Sequence, residues 1–185
     1  MIFRKVELEN FLSFKEAKII LDNQGFVSVR GQNLTDETAS SNGSGKSSWV
    51  EAIVWALTGQ TIRGVSAVQN LYATSGDCKV RLFFEQRGNS YVIERVKGKT
   101  LNIFKNGVDI SGKGIRDTQE LINDLFPNAN IRFLSSTTVL GQGMPFRFTN
   151  NKPAGRKEEL EQLTQADFQI EDLKNKLTTL KMLRG

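Results

Sequence analysis

Apolar and polar residues alternate in six short stretches of the chain, and in two other stretches the apolar spacing is that of a helix. The period-two stretches predict strands at 2–8, 14–21, 26–30, 79–85, 91–96 and 101–104. Apolar residues three and four apart predict helices at 47–57, ended by Gly59, and at 115–126, ended by Pro127. A continuous apolar run predicts a further, buried strand at 134–140. The predicted fold is α/β, a mixed sheet with an antiparallel β-meander at 79–104.

The spacing changes again after residue 156, where apolar residues recur every seven positions. Two heptad positions carry them: Leu163, Ile170 and Leu177 at one, and Ala166, Leu173 and Leu180 at the other. A seam of only two residues in seven is typical of a coiled coil and narrow for a helix packed on its own domain. We therefore expect a coiled-coil helix from about 158 to 183, and two domains, 1–152 and 153–185.

Composition excludes several kinds of chemistry. The 185 residues include one cysteine, Cys78, and no histidine. This excludes a disulfide framework, histidine acid–base catalysis and the usual zinc sites. No apolar run approaches the roughly 20 residues of a membrane-spanning helix, and the first residues lack the apolar core of a signal peptide. We expect a cytoplasmic protein with no membrane partner.

The net charge of +5 is concentrated in one segment. Residues 79–116 contain nine basic and three acidic residues, a net charge of +6, so the rest of the chain sums to −1. A local surplus of this kind favours binding of a polyanion. The alternative, a solvated sheet face whose lysines discourage edge pairing, stays open. The candidate DNA contacts are Arg95, Lys97, Lys99 and Lys105.

A glycine- and serine-rich run lies between the strand-like stretch at 26–29 and the helix at 47–57. It reads Ser41-Asn42-Gly43-Ser44-Gly45-Lys46-Ser47-Ser48. In a phosphate-binding loop the glycines turn backbone N–H groups towards phosphates, Lys46 neutralises the β/γ-phosphates, and the Ser47 hydroxyl ligates Mg²⁺. The helix that follows adds the positive end of its dipole. The pattern predicts binding of a nucleoside triphosphate.

The loop departs from the standard spacing, which places a glycine at position 40. This chain has Ser40 there, and Gly31 precedes a polar insert at 34–41. A Gly/Ser-rich linker that contains Gly-Lys-Ser by accident is the alternative. The flanking strand and helix favour nucleotide binding.

Four features occur in one order: Glu9-Asn10-Phe11-Leu12-Ser13-Phe14, the loop with its helix, Val139-Leu140-Gly141-Gln142-Gly143, and Lys152-Pro153-Ala154-Gly155-Arg156 leading into the heptads. With these features the sequence resembles the N-terminal half of an SbcC-type DNA double-strand-break repair ATPase of the SMC and ABC superfamily. Its compact meander and polar insert are similar to bacteriophage versions. The resemblance implies the P-loop lobe of an ATPase head leading into a coiled-coil helix.

The resemblance also implies roles for single residues. Lys46 and Gln142 would act in catalysis, and Ser47 and Gln142 would hold Mg²⁺. The residues that would bind ATP are Asn42, Gly43, Ser44, Gly45, Lys46, Ser47, Ser48 and Arg63. Leu12 stands where relatives often have an arginine near the base and phosphates.

The resemblance implies an ATPase that this chain does not complete. We find no apolar run ending in Asp-Glu and no Ser-Gly-Gly signature; in the family both lie in a C-terminal half. We therefore expect the chain alone to hydrolyse ATP negligibly. The implied partners are its own C-terminal half, a second copy of the head in a homodimer, DNA and an SbcD-type nuclease, with ATP binding and hydrolysis coupled to DNA-end processing.

Three other functions are compatible with parts of the sequence. An SMC-like structural DNA tether without a nuclease would use the same head. A small-molecule kinase is disfavoured, because the heptad helix stands where an arginine-rich lid would be needed. A nucleic-acid-binding module with an accidental Gly-Lys-Ser is the third.

Overall fold

The computed structural model describes residues 1–32, 44–73, 76–139 and 152–164. It falls into two compact units, 1–131 and 132–185, and each is described here by itself. The predicted domain boundary after residue 152 stays a prediction.

The first unit is built on a six-stranded sheet with the strand order β2-β1-β3-β4-β5-β6. Every pairing between these strands is antiparallel. The strands are β1 (Ile2–Phe11), β2 (Phe14–Ile20), β3 (Lys79–Gln86), β4 (Asn89–Val96), β5 (Thr100–Lys105) and β6 (Val108–Asp109). The predicted meander is thus confirmed, and β6 extends it by one short strand.

The two faces of the sheet follow the alternation in the sequence. Val80, Leu82 and Phe84 of β3 are buried, and their neighbours along the strand are half-exposed. The meander turns tightly because Arg87 and Gly88, with φ of 50° and 74°, both adopt the positive φ that a type I′ hairpin turn requires. These turns place the apolar face of β3, β4 and β5 on one side of the sheet.

Two helices cover this apolar face. Helix α1 (Ser48–Thr58) is almost wholly buried, and its Trp55 ring packs 5.3 Å from the Phe11 ring of β1. Gly59 ends α1 with φ 74°, as predicted. Helix α2 (Ile115–Leu125) is followed by Phe126, whose ring contacts Phe84 and Tyr91 edge-on, both at 5.1 Å. The core lies between the sheet and these helices.

The predicted strand at 26–30 is wrong. These residues form no strand, and Phe26 is 97% exposed. Among the described residues no strand pairs with this segment, and an apolar alternation forms a strand only where a neighbouring strand takes up its hydrogen bonds.

The predicted strand at 134–140 is also wrong, because its described residues are helical. A short helix α3 (Ile131–Phe133) continues into a π-helical turn (Leu134–Thr138). The Thr137 hydroxyl donates to the Phe133 carbonyl at 2.7 Å, and the Ser135 and Ser136 hydroxyls donate to carbonyls three residues earlier. Hydroxyl groups that donate to the preceding turn satisfy the carbonyls of a wide helical turn. A prediction from the run of apolar residues does not take these hydrogen bonds into account.

The second unit contains helix α4 (Pro153–Thr164), which covers the start of the predicted coiled-coil helix. Residues 165–185 lie outside the described residues, so the coiled coil stays a prediction. Over the described ranges, the structure has no helix of the length and apolar character needed to cross a membrane.

Candidate nucleotide-binding site

The described part of the predicted phosphate loop, residues 44–48, leads directly into α1. Gly45 has a positive φ of 76°, and a Cβ at this position would lie only 2.4 Å from Cβ of Ser13. Both facts require glycine, because other residues are strained at this φ and any side chain would meet the β1–β2 turn. Asn42, Gly43 and Gln142 lie outside the described residues.

The polar groups at the start of α1 suit a phosphate. The Lys46 ammonium donates to the Ser44 hydroxyl at 3.3 Å, so the lysine lies over the loop. Ser47 is the N-cap of α1 but makes no capping hydrogen bond with its side chain. A lysine, a serine hydroxyl and the positive end of a helix dipole are the groups that hold the phosphates and Mg²⁺ of a nucleoside triphosphate. The residues present therefore fit Mg²⁺-ATP.

Gly31 lies against the loop. A Cβ at Gly31 would be 1.9 Å from the Ser44 hydroxyl and 3.1 Å from Cγ of Lys46. The turn glycine that the sequence offers in place of position 40 is therefore next to the loop in space, and the segment before the insert approaches Ser44 with its main chain.

The β1–β2 turn supports the loop through Ser13. The Ser13 and Ser48 hydroxyls are 3.1 Å apart and share a hydrogen bond. Buried Asn70 holds the turn in place: its side chain donates to the Leu12 carbonyl at 2.7 Å and its N–H donates to the Asn10 carbonyl at 2.9 Å. Nothing in the sequence singled out Asn70, since its role depends on contacts across 58 residues.

Arg63 is held by an acid that the sequence analysis missed. Its Nε donates to Oε1 of Glu51 at 2.9 Å, and the Ile62 N–H donates to Oε2 at 2.6 Å. The Glu51 side chain is 4% exposed and that of Arg63 is 52% exposed. Glu51 is a charged residue within the apolar stretch of α1, and this could have identified it from the sequence. Glu51 thus fixes the predicted arginine to the helix that follows the phosphate loop.

Arg95 is buried and is not available to DNA, so its prediction as a DNA contact is wrong. It is 7% exposed, and its Nε and Nη2 donate to the Ala56 carbonyl of α1 at 3.1 and 3.0 Å. Burial lowers the pKa of Arg95 to about 10. The alternation of β4 places Arg95 on the same face as Tyr91 and Ile93. The prediction rested on a count of charges, which does not take this orientation into account.

The other three basic residues lie at the two ends of one hairpin. Lys97 and Lys99 flank the turn between β4 and β5, and Lys99 pairs with Asp77 at 2.7 Å. Lys105 ends β5, about 20 Å away at 3.3 Å per residue. Acids of β1 pair with other bases of the segment: Glu9 with Lys79 and Glu7 with Arg81. Because these acids neutralise part of the charge, the surface around residues 79–116 is less positive than the count of their own charges indicates.

A phosphate loop that opens a helix packed on an antiparallel sheet defines the first unit as the lobe of a P-loop ATPase head. The chain belongs to the AAA domain family, whose model matches residues 5–184.

Two named relatives show what the chain is similar to. It is 26% identical over 190 residues to a DNA double-strand break repair Rad50 ATPase of Sulfurisphaera tokodaii, covering 96% of this chain and 20% of that protein. It is 26% identical over 174 residues to a chromosome partition protein Smc of Fusobacterium nucleatum, covering 88% and 14%. The chain thus spans about a fifth or less of the length of these curated relatives.

A solved structure supports the fold. The chain matches one from work on ATP-driven dimerization and DNA-stimulated activation of SMC ATPases, with a TM-score of 0.56 and 18% identity over 88% of this chain and 99% of that one. The predicted head-lobe fold and the resemblance to SbcC-type ATPases are confirmed. The similarity to bacteriophage versions stays a prediction.

Proposed function

We propose that this chain is the ATP-binding N-terminal lobe of a DNA-repair ATPase. The observation that carries the proposal is the loop at the start of α1. It contains Lys46 and Ser47, whose side chain makes no capping hydrogen bond. Gly45 packs against Ser13, and Gly31 packs against Ser44. Names of relatives support the choice of DNA repair, since several are double-strand-break repair ATPases.

Each group of the loop has a distinct task in this proposal. Lys46 binds the β/γ-phosphates, Ser47 holds Mg²⁺, and residues 42–45 wrap the phosphates. Ser48 reaches the α-phosphate, and Arg63 presents its guanidinium from the buried Glu51. Gln142 would hold Mg²⁺ together with Ser47, and the metal would supply positive charge at the γ-phosphate. Hydrolysis further needs an acid and a signature segment from a C-terminal half, with a second head completing the site.

The test is equilibrium dialysis of the 185-residue chain with labelled ATP and Mg²⁺. Lys46→Ala removes a charged hydrogen bond to phosphate, so we expect affinity to fall roughly tenfold or more. The matched control is Lys113→Ala, an exposed lysine that precedes α2. Equal ATP affinity in Lys46→Ala and the parent chain, with both folded by circular dichroism, would refute the loop assignment.

We further propose that Lys97, Lys99 and Lys105 contact DNA phosphates. Their positions at both ends of the β4–β5 hairpin would let them follow a backbone. Each phosphate contact contributes about −0.9 to the slope of log K against log salt. Anisotropy titrations of duplex DNA should therefore show a shallower slope for each Lys→Gln variant. Arg116→Gln, whose exposed guanidinium pairs with Glu120, is the control and should keep the slope.

The nuclease partner distinguishes two versions of this function. In the first, a homodimer of heads works with an SbcD-type nuclease in the cytoplasm, or in the host cytoplasm if the gene is viral, and couples ATP to DNA-end processing. In the second, an SMC-like tether organises DNA without a nuclease. The similarity to Smc proteins supports this version as the alternative. Co-purification of a metal-dependent nuclease through residues 156–183 would support the first, and its absence from the purified ATPase would support the second.

A further inference from the structure

A cavity lies next to Arg95, at the end of α1 opposite to the phosphate loop. Its volume is about 290 Å³. It is bounded by the end of α1, the loop at 65–68, the β4–β5 hairpin and the first residue of α2. This size is at the small end of ligand pockets, which hold roughly 300–1,000 Å³, and suits a molecule of one or two amino-acid side chains.

The cavity is lined by both apolar and cationic residues. Trp55, Val65, Val68, Val96 and Ile115 supply the apolar surface. Arg95 and Lys97 supply positive charge, and Ser66 and Thr100 also line the cavity. Among the described residues that line it, none is acidic. Asp117 is in the first turn of α2 but does not line the cavity.

Arg95 is the observation that points to a ligand. It is 93% buried, yet its protein acceptors are neutral: the Ala56 carbonyl and the Gln119 side-chain oxygen. Within the described residues no carboxylate pairs with it. A buried charge is costly unless a counter-charge compensates it. The arginine therefore lacks a counter-ion, and it borders a cavity that can admit one.

The free edge of the guanidinium lies beside Gly59. Nη1 has no hydrogen-bond partner in the described part of the chain, and a Cβ at Gly59 would lie 3.1 Å from it. Gly59 itself lines the cavity, so no side chain at that position shields Nη1 from it.

We propose that this cavity binds a carboxylate attached to a branched apolar group. The carboxylate accepts hydrogen bonds from Nη1 of Arg95 and from the Lys97 ammonium, and the apolar group packs on Trp55 and Ile115. Guanidinium and carboxylate are matched in geometry and charge. The same chemistry occurs in a small organic acid and at the carboxyl terminus of a polypeptide.

The lowered pKa of Arg95 is consistent with this assignment. Burial brings the pKa to about 10. A bound carboxylate favours the charged guanidinium and would raise the pKa again. Ligand binding should therefore move the pKa of Arg95 upwards, a signature that apolar packing alone would not give.

The experiment uses N-acetylleucine as the probe. Trp55 fluorescence in a Trp49→Phe chain and the ¹⁵Nε resonance of Arg95 report on the site. A ligand of this size should bind with a dissociation constant on the order of 1 mM. N-acetylleucinamide lacks the charge and acetate lacks the apolar group, and both should bind at least about threefold more weakly. Inorganic phosphate should compete poorly, because it cannot use the apolar surface.

Variants separate the site from general charge effects. Lys97→Gln should weaken N-acetylleucine about threefold, as expected for loss of one exposed charge. Ser66→Phe, at an exposed position, should fill the cavity and abolish the response. Arg87→Gln, an exposed charge change at the opposite end of β4, should leave affinity unchanged. These variants avoid Arg95 itself, whose replacement would remove hydrogen bonds to α1.

The outcomes are decisive in both directions. Tighter binding of a peptide that ends in a leucine carboxylate would assign the site to a polypeptide terminus, and tighter binding of N-acetylleucine would assign it to a small acid. The proposal would be overturned if neither reporter responded at an N-acetylleucine concentration roughly tenfold above the expected dissociation constant. Equal binding of the acid and the amide would overturn it as well.

Discussion

Glu51 and Arg63 form an ion pair in which a buried acid on α1 holds an arginine of the following loop, with Nε and Oε1 2.9 Å apart. The second carboxylate oxygen accepts the Ile62 N–H at 2.6 Å. Both oxygens of Glu51 are thus used, one for a side chain and one for the main chain. The acid connects the helix that begins at the phosphate loop to the arginine proposed to bind nucleotide.

Glu51→Gln should lower the free energy of unfolding by about 1–3 kcal/mol, because glutamine keeps the shape but loses one acceptor and the charge. Urea unfolding followed by circular dichroism measures this. Glu120→Gln, in an exposed pair with Arg116, is the control and should cost less than about 0.5 kcal/mol. Equal stability of Glu51→Gln and the parent chain would contradict the role of the buried acid.

Gly45→Ala should destabilise the chain and weaken ATP binding, because a Cβ would meet Ser13 at 2.4 Å and φ is 76°. Gly88→Ala provides a matched control: its φ is 74°, and nothing lies within 4 Å of the added Cβ. The control should cost about 1 kcal/mol from backbone strain alone. Thermal unfolding of both variants isolates the cost of the contact with Ser13, and equal losses would argue against that contact.

Cys78 should make stability depend on pH in alkaline solution. Burial raises its pKa from 9.0 to about 11. The unfolded chain releases this proton first, so the contribution of Cys78 is complete below pH 9.0 and is lost as the pH rises towards 11. The full shift corresponds to about 3 kcal/mol, which is the upper limit of the loss. Comparing urea unfolding of the parent chain and Cys78→Ala at several pH values measures it; identical pH profiles would disprove it.

Phe26→Asp should leave the stability of the 185-residue chain unchanged within about 0.5 kcal/mol, because the side chain is 97% exposed. Phe11→Asp, at a fully buried position of β1, is the contrasting variant and should prevent folding. A strongly destabilised Phe26→Asp chain would show that residues 26–30 pack in solution after all.

Local signals were sufficient where the fold depends on them. Spacing along α1 and the turns of the meander follow from neighbouring residues, so both were predicted with nearly correct ends. The strand predicted at 26–30 failed because an apolar alternation needs a partner strand. The strand predicted at 134–140 failed because serine and threonine hydroxyls stabilise a helical turn there.

The site shows the same division. Lys46 and Ser47 could be proposed from their motif, because the groups of a phosphate loop are encoded in consecutive residues, and their roles stay predictions. Arg95 was misassigned because a count of charges carries no direction, whereas the period of β4 turns this side chain inwards. Asn70 was overlooked, and the contact of Ser13 with Ser48 was not foreseen, because these contacts join segments far apart in sequence.

The sheet order has a consequence for how the chain folds. Strands β3 to β6 follow one another through short turns, whereas β1 reaches β3 only by closing a loop of about 70 residues. The meander should therefore form early and β1 should dock late. Because Gly45 rests on the β1–β2 turn, nucleotide affinity should arise in the final kinetic phase of refolding. A stopped-flow trace should show strand ellipticity recovering before the fluorescence of a labelled nucleotide.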